Sequence, residues 1–168
     1  VEAVRDDGGL YVARTDSVIT WRRAEERKRS RVAAALGGSF GNSGQFLMGG
    51  QLGFPFPGSP RWGIVPEAQV GVGGGGTSAL VQVGTRYYVD VGRSQLYGGA
   101  ALGLIVFDDK VGNRSGSSVV VSPVLGWEVP SSGRAGWLGS GYQGWFVEYQ
   151  GVDFFDIQRL LIGVNWGL

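Results

Sequence analysis

The 168-residue sequence contains no cysteine and no histidine. Without cysteine, disulfides, thiolate metal sites and cysteine nucleophiles are excluded. Without histidine, the common Ser–His and Cys–His catalytic arrangements are excluded as well. Catalysis by carboxylates alone is the chemistry that remains open. We therefore expect a protein that is not an enzyme and that has no metal site and no cofactor.

Long apolar runs and a strong net charge are also missing. The longest apolar runs fall far short of the roughly 20 residues that a membrane helix needs. The formal net charge is only +1, so no global charge favours nucleic acid, and we expect no nucleic-acid partner. Glycine, by contrast, is abundant with 32 residues. The glycines are interleaved with large apolar residues, which indicates a folded chain, and glycine disfavours helix interiors.

From Arg31 onward the apolar residues recur with period two, which is typical of β-strands. Eight segments of 10 to 16 residues reach the roughly 9–11 residues that a tilted membrane strand needs. They are 31–41, 45–54, 61–73, 78–89, 95–107, 117–129, 134–149 and 154–168. The predicted connections are Pro55–Pro60, Asp90–Ser94 and Pro130–Gly133 at one end, and stretches near Asn42, Gly73–Thr77, Asp108–Gly116 and Gln150–Asp153 at the other. An even number of strands with short connections predicts an antiparallel up-and-down barrel with both termini at one end.

The two faces of each predicted strand differ sharply. In the segment 78–89, one face carries Ala79, Val81, Val83, Thr85, Tyr87 and Val89. The opposite faces of the strands collect polar residues: Gln51, Glu67, Gln69, Gln82, Arg86, Ser122, Glu128 and Glu148. An apolar outer face with a polar interior is the arrangement of a transmembrane β-barrel. A soluble barrel shows the same alternation with the faces inverted, but after Lys28 the only lysine is Lys110, which favours lipid.

Charged residues of both signs fall on the predicted inner face. Because a narrow lumen must pair its charges, we expect an ion-pair network there. Its predicted members are Glu67, Arg86, Glu128, Glu148 and Arg159.

Aromatic residues lie at the strand ends on the apolar face, where amphipathic rings contact lipid headgroups. The girdle predicted at the periplasmic rim consists of Phe54, Trp62, Tyr87, Trp127, Trp137 and Trp166. Phe40, Phe46 and either Trp145 or Tyr149 are expected at the opposite rim.

Four places disturb the period-two pattern. Pro66 and Pro123 lie inside predicted strands, where proline usually requires an edge or a bulge. Gln143 falls on the lipid side, and the alternation is lost before Leu160. We expect β-bulges at the two prolines and before Leu160.

Residues 1–30 differ from the rest and are predicted to form a short N-terminal periplasmic arm beside the barrel domain 31–168. Asp6–Gly9 is predicted to be a turn, and 22–31 is a dense charge run. This run is either a solvated arm or short helix, or a docking segment for a partner or for anionic lipid headgroups. The partner-binding residues predicted for the second case are Arg22, Arg23, Arg27, Lys28 and Arg29.

The last strand alternates Leu160, Ile162, Val164, Trp166 and Leu168 with Arg159, Leu161, Gly163, Asn165 and Gly167. It resembles the C-terminal insertion signal of outer-membrane barrels, with Gly163, Trp166 and Leu168 at its glycine, aromatic and terminal hydrophobic positions. Two departures are Leu168 in place of an aromatic residue and Leu161 at a usually polar position. By pattern, 31–168 resembles the OmpA-type and OmpW-type family of small eight-stranded barrels. The resemblance implies a bacterial outer-membrane location with both termini periplasmic, outer-membrane lipid as the surroundings, and insertion by the barrel-assembly machinery.

Three functions are compatible with these patterns. The first is a non-enzymatic structural or accessory subunit of an envelope assembly, which engages another envelope protein through the arm or through the lipid-facing glycines Gly50, Gly98, Gly139 and Gly141. The second is a narrow channel or conduit for small or apolar molecules. The third is a soluble, lipocalin-like ligand-binding barrel. The short predicted loops argue against adhesion.

Overall fold

The computed structural model describes residues 2–6, 9–13, 30–41, 44–109, 114–131, 141–154 and 156–168. Strands β1 (Glu2–Asp6) and β2 (Gly9–Ala13) form a two-stranded antiparallel sheet. The strands of a closed barrel follow: β3 (Arg31–Phe40), β4 (Gln45–Phe56), β5 (Ser59–Gly73), β6 (Gly76–Val91), β7 (Ser94–Asp109), β8 (Arg114–Pro130), β9 (Tyr142–Val152) and β10 (Ile157–Gly167). Within these described ranges, no helix is long and apolar enough to cross a membrane.

Each barrel strand is antiparallel to its neighbours, and β10 pairs with β3 to close the barrel. The predicted eight-stranded up-and-down barrel is therefore confirmed. Arg31 at the start of β3 pairs with Gly167 at the end of β10, so both ends of the barrel domain lie at the same rim. We call this rim the terminal end and the opposite rim the far end.

The alternation of exposed and buried side chains follows the predicted faces. Outward side chains such as Val81 and Leu125 are 61% and 62% exposed, whereas inward Gln82 and Glu148 are 1% and 0% exposed. The apolar outer face is thus confirmed. The interior is mixed, because buried polar side chains share it with apolar clusters such as Leu80, Ile105 and Val120. The apolar outer face is the inverse of a lipocalin-like barrel, whose apolar face encloses the ligand.

Several connections are tighter than the sequence indicated. Residues 57–58, 74–75 and 92–93 form two-residue turns, so the flanking strands begin and end nearer to the turns than predicted. Gly74 and Gly75 both have positive φ, at 57° and 83°. A turn with positive φ at both central residues matches the right-handed twist of its strands, and glycine adopts it without strain.

The bounds of β9 can be compared with the prediction only in part. β8 ends at Pro130 and β9 begins at Tyr142, while most of the predicted turn Pro130–Gly133 and the segment 134–140 lie outside the described residues. The segment predicted as strand 134–149 corresponds to β9 only from Tyr142 onward, and β9 continues through Gln150 to Val152, which were predicted to be a connection. Residues 132–140, with Trp137 and Gly139, lie outside the described residues.

The two interior prolines interrupt hydrogen-bond ladders without shifting the register, so the predicted bulges at these positions are wrong. Pro66 pairs with Val83 of β6, while the β4–β5 ladder has a gap that leaves Pro66 without a partner in β4. Pro123 pairs with Ala100 of β7, and the β8–β9 ladder ends beside it, at Val124. Each proline lacks an amide hydrogen, so one neighbouring ladder stops where that donor would be needed.

The bulge near the C-terminus lies in β9. Asn165 pairs with Gly144 and Trp166 pairs with Tyr142, so Gln143 is the extra residue. Pairing between β9 and β10 is regular from Ile157 to Asn165, and the bulge predicted before Leu160 is wrong. Gln143, which the alternation placed on the lipid side, is thus the residue at which the alternation of β9 is broken.

Candidate functional site

Polar side chains from opposite strands meet in the lumen. We call this group the central cluster; its members are Gln51, Glu67, Gln69, Gln82, Arg86, Tyr97, Glu148 and Gln150, all buried. Every one lies on an inward position of β4, β5, β6, β7 or β9. Since β5 and β9 lie on opposite sides of the closed barrel, the contacts between them cross the full lumen.

Glu148 accepts hydrogen bonds from several strands. One carboxylate oxygen accepts from Gln51 at 3.1 Å, Arg86 at 3.0 Å and Gln150 at 2.7 Å. The other oxygen accepts from the Tyr97 hydroxyl at 2.8 Å and lies 2.9 Å from the Arg86 guanidinium. Hydrogen bonds to an ionised group are among the stronger ones in proteins, so Glu148 ties β4, β6 and β7 to β9.

Glu67 holds the other half of the central cluster. It accepts from Gln69, from Gln82 at 3.1 Å and from Gln150 at 2.9 and 3.0 Å. Arg86 donates to it at 3.3 Å. Gln150 therefore bridges the two carboxylates, and Arg86 forms ion pairs with both.

Arg86 has further contacts besides its two ion pairs. Its guanidinium also donates to the side-chain Oε1 of Gln51 at 2.9 Å, and it lies over the Tyr97 ring at 5.3 Å from the centroid. An arginine placed over an aromatic face gains a cation–π interaction in addition to its ion pairs. These contacts compensate for removing the charge from water.

A second ion pair lies in the lumen nearer the terminal end. Arg31 donates to Glu128 at 2.7 Å and also to the Tyr88 hydroxyl, and its guanidinium lies 5.0 Å from the centre of the Tyr88 ring. The rings of Tyr88 and Tyr97 are 5.3 Å apart. These two tyrosines connect the second ion pair to the central cluster.

Of the five residues predicted to form one lumen network, the structure brings Glu67, Arg86 and Glu148 together. Glu128 pairs with Arg31 instead. Arg159 donates to Gln69 at 2.8 Å and has no ion pair with a described carboxylate. The prediction that Arg159 takes part in an ion pair is therefore wrong for the described residues, although Arg159 is buried on the predicted face.

Sequence reasoning missed Arg31, Tyr88 and Tyr97. Arg31 was predicted both to end the charge run and to begin the first strand, but it was not included in the lumen network, although it shares the parity of the inward residues Ala33 and Ala35. The two tyrosines likewise lie on inward positions. The parity of each strand, extended to its first residue, would have placed all three in the lumen.

The far end of the barrel contains a cavity of about 740 Å³. Its polar wall includes Ser39, Gln45, Ser78 and Arg159, and its apolar wall includes Ile105, Phe107, Val120 and Ile157. The carboxylate residues Asp108, Asp153 and Asp156 also line it and are exposed. Polar and apolar groups therefore converge around one opening.

The predicted girdle residues that the structure describes lie on the outer face near the terminal end. They are Phe54, Trp62, Tyr87, Trp127 and Trp166. The rings of Trp62 and Tyr87 are 5.0 Å apart. Trp145 lies beside Trp127, with ring centroids 5.7 Å apart, so its placement at the opposite rim is wrong. Phe40 and Phe46 lie at the far end and are exposed.

The three residues of the predicted insertion signal have different surroundings. Gly163 faces the lumen, and an added Cβ would overlap the Phe146 ring and the Ala34 carbonyl oxygen. Trp166 lies on the outer face, and the Leu168 amide donates to the Ser30 carbonyl oxygen at 2.9 Å. Barrel packing therefore explains the glycine independently of any insertion signal. The arm residues Arg22, Arg23, Arg27, Lys28 and Arg29 lie outside the described residues.

The outer surface has an apolar recess across β10, β3, β4, β5 and β6, with a volume of about 820 Å³. Gly50 pairs with Ala34 on one side and with Ala68 on the other. Ala34 and Ala68 line the recess together with the larger Leu36, Met48, Val70 and Ile162, and Gly50 lies between the two alanines in the sheet. Below, "the recess" means the outward surface formed by these residues. Two of the four glycines predicted to face lipid are described on strands, Gly50 here and Gly98 in β7; Gly141 is in a turn.

Comparisons with known proteins find the same fold. The Neisserial surface protein A structure matches with a TM-score of 0.54 and 13% identity, over 83% of this chain and 96% of the other. The N-terminal β-barrel domain of Pseudomonas aeruginosa OprF matches with a TM-score of 0.51 and 12% identity, over 81% and 97%. A de novo designed transmembrane β-barrel matches with a TM-score of 0.51 and 14% identity, over 84% and 96%. No family model and no curated protein matches the sequence.

Proposed function

We propose that this protein is a non-enzymatic integral β-barrel of the bacterial outer membrane that serves as a structural or accessory subunit of an envelope assembly. The central cluster is the observation that supports this proposal most strongly. Its carboxylates accept hydrogen bonds from fixed donors on several strands and are buried. A carboxylate so engaged braces the barrel and offers little to a substrate.

The central cluster also disfavours a conduit through the lumen. The contacts between Gln69 and Gln150, at 2.9 Å, and between Glu67 and Gln150 join opposite walls of the barrel. The pair of Arg31 with Glu128 adds a second crossing nearer the terminal end. A permeating molecule would have to break charge-assisted hydrogen bonds at two levels.

The proposed location follows from the outer surface. Large apolar side chains are exposed on seven of the eight barrel strands, for example Leu36, Leu102 and Ile162, and the outward side chains of β9 are half-buried. In water, such a surface would be prone to aggregation, whereas lipid tails solvate it. We place both ends of the barrel domain on the periplasmic side, with insertion by the barrel-assembly machinery.

The recess supports a role for the outer surface. An added Cβ at Gly50 would meet its nearest atom at 3.5 Å, the carbonyl oxygen of Ala33. Barrel packing therefore does not require glycine at this position. Small residues in a membrane surface allow another membrane-spanning segment to approach closely. We propose that the recess receives such a segment of another envelope protein.

The test is capture from native outer membranes after detergent solubilisation, with the affinity-tagged protein and its Gly50→Leu variant. The proposal expects a co-purifying envelope protein that Gly50→Leu loses by about tenfold, because filling the recess excludes the approaching segment. Gly98→Leu is the matched control. Gly98 lies on the outer face of β7, away from the recess, with no atom nearer than 3.8 Å to an added Cβ.

Folding of each variant is checked by its heat-modifiable migration in gels. If the barrel purifies without any partner, or if both variants retain the partner equally, the proposed role of the recess is contradicted.

A further inference from the structure

We propose that the far-end cavity binds a small organic zwitterion, with its carboxylate on Arg159 and its ammonium group at the mouth. This goes beyond the proposed structural role, since it assigns a ligand to a part of the lumen that the central cluster does not fill. The inference rests on a buried arginine that is under-bonded, on the acidic residues around the opening, and on the apolar wall between them.

Arg159 is 1% exposed and lines the cavity. A guanidinium has five N–H donors. Among the described residues Arg159 makes one hydrogen bond, from Nη1 to Gln69, and its Nε has no partner. A buried cation with unused donors is costly unless something compensates it. Of the described side chains that line the cavity, only Arg159 has a buried donor without a hydrogen-bond partner.

The chemistry of the arginine indicates the head of the ligand. The planar fork of donors matches the two oxygens of a carboxylate. The lumen carboxylate Glu67 already accepts from Arg86, Gln82 and Gln150, and it forms no ion pair with Arg159. An incoming carboxylate would therefore supply the acceptors that the protein itself does not provide.

The mouth has the opposite charge. Asp108, Asp153 and Asp156 line the cavity from the ends of β7 and the β9–β10 turn. That turn is held toward β8 by the hydrogen bond from the Phe154 amide to the Val121 carbonyl oxygen at 3.3 Å. Asp153 and Phe154 both have positive φ, at 53° and 50°, which is an uncommon conformation for residues other than glycine.

A plain anion is repelled by this acidic mouth, and a plain cation is repelled by Arg159. A ligand that carries both charges at opposite ends suits both. Its middle would pack against Ile105, Phe107 and Val120, which form the apolar wall. The volume of about 740 Å³ falls within the usual range for small-molecule sites.

The experiment is an NMR titration of the detergent-solubilised protein with δ-aminopentanoate, ε-aminohexanoate and ω-aminooctanoate, so that ligand length is sampled. Hexanoate and hexylamine are the probes that each lack one charge. We expect saturable shifts of the Ser39, Gln45 and Ser78 amides with at least one zwitterion, and binding of both single-charge probes weaker by about tenfold.

Variants assign the two ends. Arg159→Gln is expected to weaken zwitterion binding about tenfold, while Arg159→Lys retains part of it because the charge remains. Asp153→Asn combined with Asp156→Asn is expected to weaken zwitterion binding and to leave hexanoate binding no weaker. Arg93→Gln, at an exposed turn of the terminal end, removes the same charge and is the control.

The proposal is overturned if no zwitterion of the series gives saturable shifts, if hexanoate binds as tightly as the zwitterions, or if either Arg159→Gln or the double aspartate variant binds the zwitterions like the wild type.

Discussion

Glu148 is fully buried, yet four side chains donate to its carboxylate: Gln51, Arg86, Gln150 and Tyr97. An isolated buried charge would be strongly unfavourable, so the energetics of this residue depend on its neighbours. Removing it leaves Arg86 with Glu67 at 3.3 Å as the remaining carboxylate partner. It also leaves the Tyr97 hydroxyl without an acceptor. Single substitutions in the central cluster therefore disturb several residues together.

We expect Glu148→Ala to lower the free energy of unfolding by about 3–5 kcal/mol, the usual cost of breaking a buried ion pair. Glu128→Ala should cost clearly less, because the side chain of its partner Arg31 is 18% exposed and can regain water. Urea unfolding in lipid vesicles, followed by tryptophan fluorescence, measures both. Equal losses in the two variants would show that burial of the Glu148 pair is not decisive.

At the residue scale, the sequence predicted which side chains enter the lumen but not which of them touch. Parity decides the face of a strand, so Glu67, Arg86 and Glu148 were placed inward correctly. Contacts across the lumen depend on the tilt and stagger of the closed barrel, which no local pattern contains. For this reason Arg159 was predicted in an ion pair, whereas it contacts Gln69.

At the scale of the strands, the inner and outer faces differ in how much space they leave for a side chain at a glycine position. On the inner face of β8, an added Cβ at Gly126 would overlap the Tyr97 ring. On the outer face of β7, an added Cβ at Gly98 would be in ordinary contact with its neighbours. Tyr97 pairs with Gly126, so the inner glycine provides space for a tyrosine that stacks on Arg86.

Gly126→Ala is therefore expected to destabilise the barrel by about 1–3 kcal/mol, the usual cost of overpacking. Gly98→Ala should be neutral or slightly stabilising, because alanine loses less chain entropy than glycine on folding. The same urea titration compares them. A loss for Gly98→Ala as large as that for Gly126→Ala would mean that the two faces are not distinguished by packing.

Strand number and direction were predictable, while strand ends and irregularities were not. Period two extends through most of each strand, and turn residues such as Pro57-Gly58 and Gly74-Gly75 separate the segments. The far end of β9 was missed because Gln150 and Gly151 read as turn residues, whereas β9 continues to Val152. Pro66 and Pro123 were expected to form bulges, but a gap or an end in a single ladder accommodates each.

The molecule as a whole has a filled lumen between two unlike ends. Near the terminal end, Arg31 and Glu128 cross the lumen, and at the far end the cavity opens beside Arg159. The outer surface is apolar and contains the recess. The even strand number and the alternating faces predicted the closed barrel and its apolar outer surface from the sequence. The recess was not predictable, because it depends on the register that places Ala34, Gly50 and Ala68 side by side.

Single-channel recording in planar lipid bilayers tests the filled lumen most directly. The protein is reconstituted with a porin as the positive control, and insertion is verified by resistance of the barrel to extraction from vesicles. The account predicts no conductance steps from the wild-type protein, since the central cluster joins opposite walls. Reproducible steps of uniform amplitude that Arg86→Ala or Glu128→Ala abolishes would contradict it and would identify the barrel as a channel.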